Sequence, residues 1–92
     1  MKPRLVVSQP LRDFLRHLPP ELKRRMKQVL AEIIENPKSG KALSEELTGL
    51  RSYKFGKLRI VYREKISSIE LVAVGPRKTI YQKVALEIKR VN

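Results

Sequence analysis

Two cations that face each other, a further arginine and a tyrosine are the side chains of this sequence best suited to chemistry. Lys54 and Arg59 flank a Gly-Lys dipeptide, so they lie opposite each other if residues 50–63 form a hairpin with a two-residue turn. Like charges in opposed positions destabilise a sheet, and an anion between them is the natural explanation for such a pair. Arg77 and Tyr81 follow the next apolar segment. We predict that the four side chains converge on the open face of the sheet.

This combination of groups suits a phosphodiester. Guanidinium groups match the geometry of phosphate oxygens and stabilise the negative charge that builds up in a transition state. RNA supplies its own nucleophile, the 2′-hydroxyl, so its cleavage requires a base, an acid and cations but no metal ion. The residues therefore permit metal-free cleavage of RNA. The same cations also fit a basic surface that only faces water.

The charge balance points to a polyanion or an acidic protein as the partner. The 92 residues include 21 Lys and Arg against 9 Asp and Glu, which gives a net charge of +12. Residues 51–92 carry 11 of these cations and 3 of the acidic side chains. A concentration of this kind is typical of a phosphate-binding face.

The residue types that are missing exclude several classes of site. The sequence has no cysteine and one histidine, His17. Disulfides, thiolate zinc sites and cysteine nucleophiles are therefore excluded, and a metal centre or a histidine-based triad is disfavoured. No apolar run approaches the roughly 20 residues of a membrane span, and the N-terminal residues lack the apolar core of a signal peptide. We expect a single cytoplasmic domain over residues 1–92, with no metal, no cofactor and no membrane partner.

Apolar spacing and prolines define the elements of the first half of the chain. Leu5–Val7 predicts a short strand. Apolar residues at helical spacing predict one helix over residues 11–18 and a second from Pro20 to about Asn36. We expect these helices to form a hairpin that packs on a sheet, followed by a loop over residues 37–49 with at most one helical turn.

The second half of the chain predicts a hairpin, a central strand and a last helix. Leu50–Phe55 and Leu58–Arg63 are the strands of the hairpin, joined by a type II′ turn in which Gly56 comes first. Ser68–Val74 is apolar at nearly every position, which is typical of a central strand, and a helix is expected from about Lys78. The order is β-α-α-β-β-β-α, an α+β fold with a four-stranded, largely antiparallel sheet and the helical hairpin on one face.

The register of the hairpin predicts which side chains face the helices. It pairs Ser52 with Val61 and Lys54 with Arg59, and the alternation of a strand then separates two sets. The set expected on the helical side is Tyr53, Phe55, Leu58, Ile60 and Tyr62. The set expected on the other side is Lys54, Arg59 and Arg63. The buried core is expected to include Leu15, Met26, Leu30, Ile33, Ile60, Tyr62, Leu71 and Val84.

A resemblance to a known superfamily is carried by the segments LTGLRSYKFGKLRIVY and IELVAVGPRKTIY. They are similar to the RelE/ParE superfamily of bacterial toxins from type II toxin–antitoxin systems, and the likeness covers nearly the whole chain. Its pieces, in order, are a Leu-x-Gly-Leu entry at Leu47–Leu50, an Arg-Ile-Val-Tyr strand at Arg59–Tyr62 and an Arg-x-x-x-Tyr ending at Arg77–Tyr81. The predicted order of elements agrees with that of the superfamily.

For the RelE-like branch, the resemblance implies cleavage of messenger RNA on the ribosome by attack of the 2′-hydroxyl, and neutralisation by a cognate antitoxin. Carried over by position, the catalytic set falls on Lys54, Arg59, Arg77 and Tyr81. The tyrosine would stack on the substrate or assist proton transfer. The surrounding cations expected to contact RNA are Arg51, Lys57, Arg63 and Lys78. RelE-like ribonucleases often carry a further lysine about where Ser52 stands, so the resemblance leaves the general base unassigned.

Two other functions remain open. A ParE-like toxin would inhibit DNA gyrase by binding, and such a binder has no evident need for the Arg77 and Tyr81 pair. A basic module could also bind RNA or the ribosome without catalysis, which Ser52 in place of a lysine favours. We expect the antitoxin of either toxin to be acidic, because it would cover a strongly basic face.

Overall fold

The computed structural model describes the backbone of residues 2–91 and the side chains of residues 2–89. The first part of the chain forms β1 (Arg4–Val7), α1 (Gln9–Arg16) and α2 (Pro20–Glu35). The remaining elements are β2 (Lys41–Ala42), β3 (Leu50–Phe55), β4 (Leu58–Glu64), β5 (Ser68–Pro76) and α3 (Arg77–Val91). Short 3₁₀ turns at Pro37–Ser39 and Glu45–Leu47 flank β2.

The strands form one five-stranded sheet in the order β1-β5-β4-β3-β2. β1 runs parallel to β5, and every other pair of neighbours is antiparallel. The α+β class and the largely antiparallel sheet are confirmed, but the sequence predicts four strands. The additional strand, β2, lies in the segment predicted as a loop. Its two residues are too few to show the alternation by which a strand is recognised.

The helices α1 and α2 cover one face of the sheet, the first face. Pro20 begins α2, where the missing N–H of proline costs nothing. Met26 and Ile33 point from α2 into the sheet and are buried as predicted. Leu15 and Leu30 are half-buried instead of buried, because a layer of two helices is too narrow to enclose all of both apolar stripes. Within residues 2–91, no helix combines the length and the apolar character needed to cross a bilayer.

The helix α3 packs on the opposite face, the second face, so the sheet has a core on both sides. Ile60 and its neighbour Val61 are both fully buried, one in each core. Ile80 and Val84 of α3 pack in the second core with Val61. The face predicted to be open is therefore partly closed by α3, while Lys54 on that face stays exposed.

A β-bulge in β5 decides which of its residues meet α3. Val61 pairs with Ala73 and Tyr62 pairs with Leu71, which leaves Val72 without a partner on β4. The extra residue shifts the alternation of β5. As a result Leu71 packs in the first core and Ala73 packs in the second.

Gly75 allows α3 to approach the sheet closely. It is buried, and a Cβ atom added there would lie 3.2 Å from Cδ1 of Ile80. Contacts this short are tighter than ordinary van der Waals packing, so the side chain of Ile80 would have to shift by a few tenths of an ångström to admit a larger residue. The start of α3 is thereby held against the end of β5.

The β3–β4 hairpin has the predicted register. Lys54 pairs with Arg59, and Phe55 pairs with Leu58 across the turn. Gly56 has a φ of +58°, the left-handed value that the first position of a type II′ turn requires and that glycine adopts at little cost. An error of one residue would have exchanged the two faces, so this agreement also confirms which side chains share a face.

Candidate nucleic-acid interface

Three strands bring the predicted cations together at the end of the second face. Lys54, Arg59 and Gly75 are successive partners across β3, β4 and β5. Lys54 is exposed, Arg59 is half-buried, and Lys57 is exposed in the turn between them. Neighbouring strands lie about 4.8 Å apart, so the two opposed cations share one short stretch of surface.

The side chain of Arg59 is held against the turn of its own hairpin. Its Nη1 donates to the carbonyl oxygen of Leu58 at 3.0 Å and lies 3.5 Å from that of Gly56. A guanidinium group has several other N–H donors, so this contact leaves donors for a ligand. Arg59 is therefore oriented before an anion binds.

The first turn of α3 adds two exposed cations. Arg77 is the first residue of α3 and follows directly on β5, and Lys78 comes next. The N-terminus of a helix carries a partial positive charge that favours acidic side chains, yet the first turn of α3 has none. Two cations in this position oppose the helix dipole and raise the local positive potential, which favours a bound anion.

No carboxylate forms an ion pair with these cations within the part of the chain that the structure describes. They are termed the basic end of the sheet, which consists of Lys54, Lys57, Arg59, Arg77 and Lys78. The ion pairs of the described residues involve five other cations, which are Lys2, Arg16, Arg24, Arg63 and Lys65. The charge of the basic end is thus available to a ligand.

Tyr81, one helical turn after Arg77, is tied to the sheet through its hydroxyl. Its Oη lies 2.8 Å from Oγ of Ser52, and either oxygen can donate the proton. Ser52 is buried, and the half-buried Tyr81 packs against the second core. Ser52 and Lys54 are two positions apart on β3 and share a face. An aromatic ring is therefore held beside the basic end.

The other two tyrosines bond on the opposite side of the sheet. Tyr62 is fully buried, and its hydroxyl donates to the carbonyl oxygen of Pro37 at 2.6 Å and accepts from the N–H of Gly40 at 2.9 Å. Tyr53 donates to the carboxylate of Glu32 at 2.7 Å, and this bond raises the pKa of Tyr53 above its ordinary value of 10.0. Tyr81 is therefore the tyrosine available to the basic end.

The groups present set the chemistry of this surface. Residues 2–91 contain no group of three or more histidine or acidic side chains that could hold a metal ion. The basic end can bind phosphate oxygens and stabilise developing negative charge, and the ring of Tyr81 can stack on a base.

Comparison with known proteins identifies the family. The sequence model described as "ParE toxin of type II toxin-antitoxin system, parDE" matches residues 7–81. The chain belongs to this ParE toxin family. Membership of the RelE/ParE superfamily is thereby confirmed, and the protein is a toxin of a type II toxin–antitoxin system. A search of curated protein sequences found no match to the chain.

The fold of this ParE-family toxin is shared with solved RelE structures. A mutant of the Escherichia coli toxin RelE in the free state has a TM-score of 0.74 at 20% identity, with 100% of both chains covered. The toxin–antitoxin complex RelBE2 from Mycobacterium tuberculosis has a TM-score of 0.71 at 23% identity, over 84% of this chain and 100% of that chain. The archaeal RelE–RelB complex from Pyrococcus horikoshii has a TM-score of 0.65 at 22% identity, over 84% and 97%. These likenesses show a common fold.

Two of the cations predicted to contact RNA lie away from the basic end of the toxin. Arg51 lies on the first face of the sheet, where its Nη1 donates to the carbonyl oxygen of Gly40 at 2.8 Å. Arg63 forms an ion pair with Glu70 at 3.2 Å and lies four residues from Arg59, about 13 Å along β4. The structure therefore gathers the four residues of the predicted catalytic set, with two of their expected neighbours, and leaves these two arginines in contacts of their own.

Two contacts of the toxin could not be predicted from the sequence. The register places Ser52 on the face of Lys54, but its bond to Tyr81 depends on where α3 docks. Arg25 of α2 lies over the ring of Phe55, with 5.4 Å between the guanidinium carbon and the ring centroid. This exposed arginine adds a positive charge on the first face of the same hairpin.

Proposed function

We propose that this toxin cleaves messenger RNA on the ribosome, with the 2′-hydroxyl of the RNA as the nucleophile. The observation that carries the proposal is the basic end, where two cations oppose each other on a hairpin and two more begin a helix without an ion pair. Such an arrangement weakens both the sheet and the helix terminus, so it favours a ligand with closely spaced negative charges. The phosphodiester backbone of RNA has that character.

The proposal gives each residue of the set a separate role. Arg77 stabilises the pentacoordinate phosphorane, because it lies where a strand passes directly into a helix and cannot lose its charge. Lys54 and Arg59 hold the phosphates on either side of the cleaved bond. Tyr81 stacks on a base and so fixes the position of the nucleotide.

We further propose that a cognate antitoxin of acidic character neutralises the toxin. The structural neighbours from M. tuberculosis and P. horikoshii are toxin–antitoxin complexes. The net charge of +12 on this chain favours a partner of opposite sign. An antitoxin that covers the basic end would compete with RNA for the same cations.

The substitution Arg77→Ala tests the ribonuclease proposal. Wild type and variant are expressed from an inducible promoter, and primer extension on a reporter messenger RNA locates the cuts. We expect the wild type to cut transcripts that are being translated. The variant should cut them at least about 100-fold more slowly, the scale known for loss of one transition-state donor. Ribosome binding and the circular dichroism spectrum should not change. Lys89→Ala removes another exposed cation of α3, outside the basic end, and should cut like the wild type.

Inhibition of DNA gyrase by binding is the second candidate, and the match to a ParE family model favours it. A supercoiling assay run in parallel separates the two functions. Inhibited supercoiling, an uncut transcript and full toxicity of Arg77→Ala would together move the gyrase-directed function ahead. Ribosome binding with neither cleavage nor gyrase inhibition would instead indicate a module that binds RNA without catalysis.

A further inference from the structure

Ser52 is the one polar residue, tyrosine aside, that is buried among the residues the structure describes, with 7% of its surface exposed. It lies within β3, opposite the fully buried Val61. A buried hydroxyl costs free energy unless it is hydrogen-bonded, and an alanine would fill this position without that cost. The partner of Ser52 is the hydroxyl of Tyr81, at 2.8 Å. The serine is thus distinguished from an apolar residue by one hydrogen bond to α3.

This bond connects the two elements that carry the basic end. Ser52 lies two positions before Lys54 on the same face of β3. Tyr81 lies one helical turn after Arg77, on α3. A change in the bond would therefore move the aromatic ring relative to both cations.

The same bond determines which part of Tyr81 can meet a ligand. Its hydroxyl bonds to a buried serine, while the residue as a whole is half-buried. When the phenol donates this bond, its proton is held by Oγ of Ser52 and is not available to the RNA. The flat ring, in contrast, needs only to be held at a fixed angle in order to stack.

We infer that Ser52 is a positioning residue, which orients the ring of Tyr81 for stacking on a base of the RNA and keeps its hydroxyl out of proton transfer. The inference rests on the proposed ribonuclease function and adds to it a residue outside the predicted catalytic set.

Kinetics of messenger RNA cleavage test the inference. Ser52→Ala, Tyr81→Phe and the double variant are compared with the wild type on ribosomes carrying a reporter message, with the ribosome concentration varied. Each single variant should raise the KM by about three- to tenfold, the effect of one lost hydrogen bond. The kcat and its pH profile should stay as in the wild type, and the double variant should match the single ones because both substitutions remove the same bond. Tyr81→Ala, which also removes the ring, should raise the KM further, by about ten- to a hundredfold.

Two controls separate positioning from a loss of structure. Tyr53→Phe removes a tyrosine hydroxyl that is also partly exposed but bonds to Glu32 on the opposite side of the sheet. This substitution should leave the KM unchanged. In NMR spectra of protein labelled with ¹³C at tyrosine Cζ, Ser52→Ala should shift the Tyr81 signal and leave those of Tyr53 and Tyr62 in place. If Ser52→Ala does not fold, Tyr81→Phe removes the same bond from the helix side and carries the test.

The outcomes distinguish this inference from the function on which it rests. A wild type that cuts no transcript would overturn the ribonuclease function and this inference with it. A wild type that cuts, together with a Ser52→Ala variant of unchanged KM, would overturn the role of Ser52 alone. A Tyr81→Phe variant that loses kcat by about 100-fold, the scale of general acid–base catalysis, would show that the hydroxyl moves a proton and would also overturn it.

Discussion

Lys54 and Arg59 are directly opposed on the β3–β4 hairpin, and neither forms an ion pair within residues 2–91. Opposed like charges lower the stability of a sheet. The same pair concentrates positive charge beside the first turn of α3, where Arg77 and Lys78 add to it. Stability and the binding of an anion therefore make opposite demands on these positions.

Replacing Lys54 with glutamate should stabilise the fold and weaken RNA binding. The introduced carboxylate would face Arg59 in a cross-strand pair of opposite charge, so we expect the free energy of unfolding to rise by about 0.2–1 kcal/mol. Lys57→Glu is the matched control, since it changes the net charge equally at a turn position without a cross-strand partner. Urea denaturation measures both variants, and equal stabilities for the two would contradict a repulsion specific to Lys54 and Arg59.

The salt dependence of RNA binding should show whether Lys54 contacts a phosphate of the RNA. Affinity for a single-stranded RNA is measured over a range of salt concentrations, and the slope of log affinity against log salt counts the phosphates that are neutralised. Lys54→Ala should reduce the steepness of that slope by about 0.7, the value for one phosphate contact on a single strand. A wild-type affinity that does not change between low and physiological salt would argue against a polyanionic ligand.

Adding a methyl group at Gly40 should destabilise the protein through Tyr62. A Cβ atom at Gly40 would lie 2.5 Å from Oη of Tyr62 and 2.8 Å from Cε1, and Tyr62 is fully buried and cannot move aside. We expect Gly40→Ala to lower the free energy of unfolding by about 1–3 kcal/mol. Gly49→Ala places a side chain at a φ of +97° with no atom within 4 Å, so its cost is backbone strain alone.

A double-mutant cycle separates the two glycines. Tyr62→Phe removes the Oη that the methyl group of Gly40→Ala would meet, so these two substitutions should be coupled. Gly49→Ala and Tyr62→Phe should be additive. Additivity in both cycles would mean that the contact between Gly40 and Tyr62 does not limit the stability.

A rise to alkaline pH should lower the free energy of unfolding more in the wild type than in the Tyr53→Phe variant. The hydrogen bond to Glu32 raises the pKa of Tyr53 in the folded state, so the folded protein holds the phenol proton more tightly than the unfolded chain. The resulting stabilisation is present below the ordinary pKa of 10.0 and is lost as the pH rises through the higher folded value. The effect is small because the pair is exposed. Urea denaturation at several pH values from about 9 upward measures it, and parallel curves for the two proteins would refute the linkage.

Local patterns were sufficient for the parts of the fold in which neighbouring residues decide the conformation. A Gly-Lys pair between two alternating segments predicts the hairpin, and the observed register of Lys54 with Arg59 agrees with it. The prolines at 19 and 20 separate the two helices as predicted. These features depend on the φ preference of glycine and proline and on the two-residue period of a strand, all of which are visible within a few residues of sequence.

Features that depend on contacts between distant segments needed the tertiary structure. Every residue of β5 from Leu71 to Val74 is apolar, so its sequence contains no sign that Val72 is the extra residue of a bulge. That bulge turns Ala73 toward α3 and so helps to close a face that the sequence predicts to be open. The two residues of β2 form a strand only because β3 is present to pair with them.

The features of the candidate site also divide into those that the sequence predicts and those that depend on tertiary contacts. The sequence alone determined which residue types are available, a strongly basic second half with a tyrosine after Arg77, and the hairpin pattern placed Lys54 opposite Arg59. Only the tertiary structure decided that Arg51 and Arg63 lie apart from the basic end and that Ser52 bonds to Tyr81. The physical reason is the separation along the chain of the residues that interact. Alternation and turn chemistry act between residues close in the chain, whereas the bond from Ser52 to Tyr81 spans 29 positions and forms only once α3 has packed on the second core.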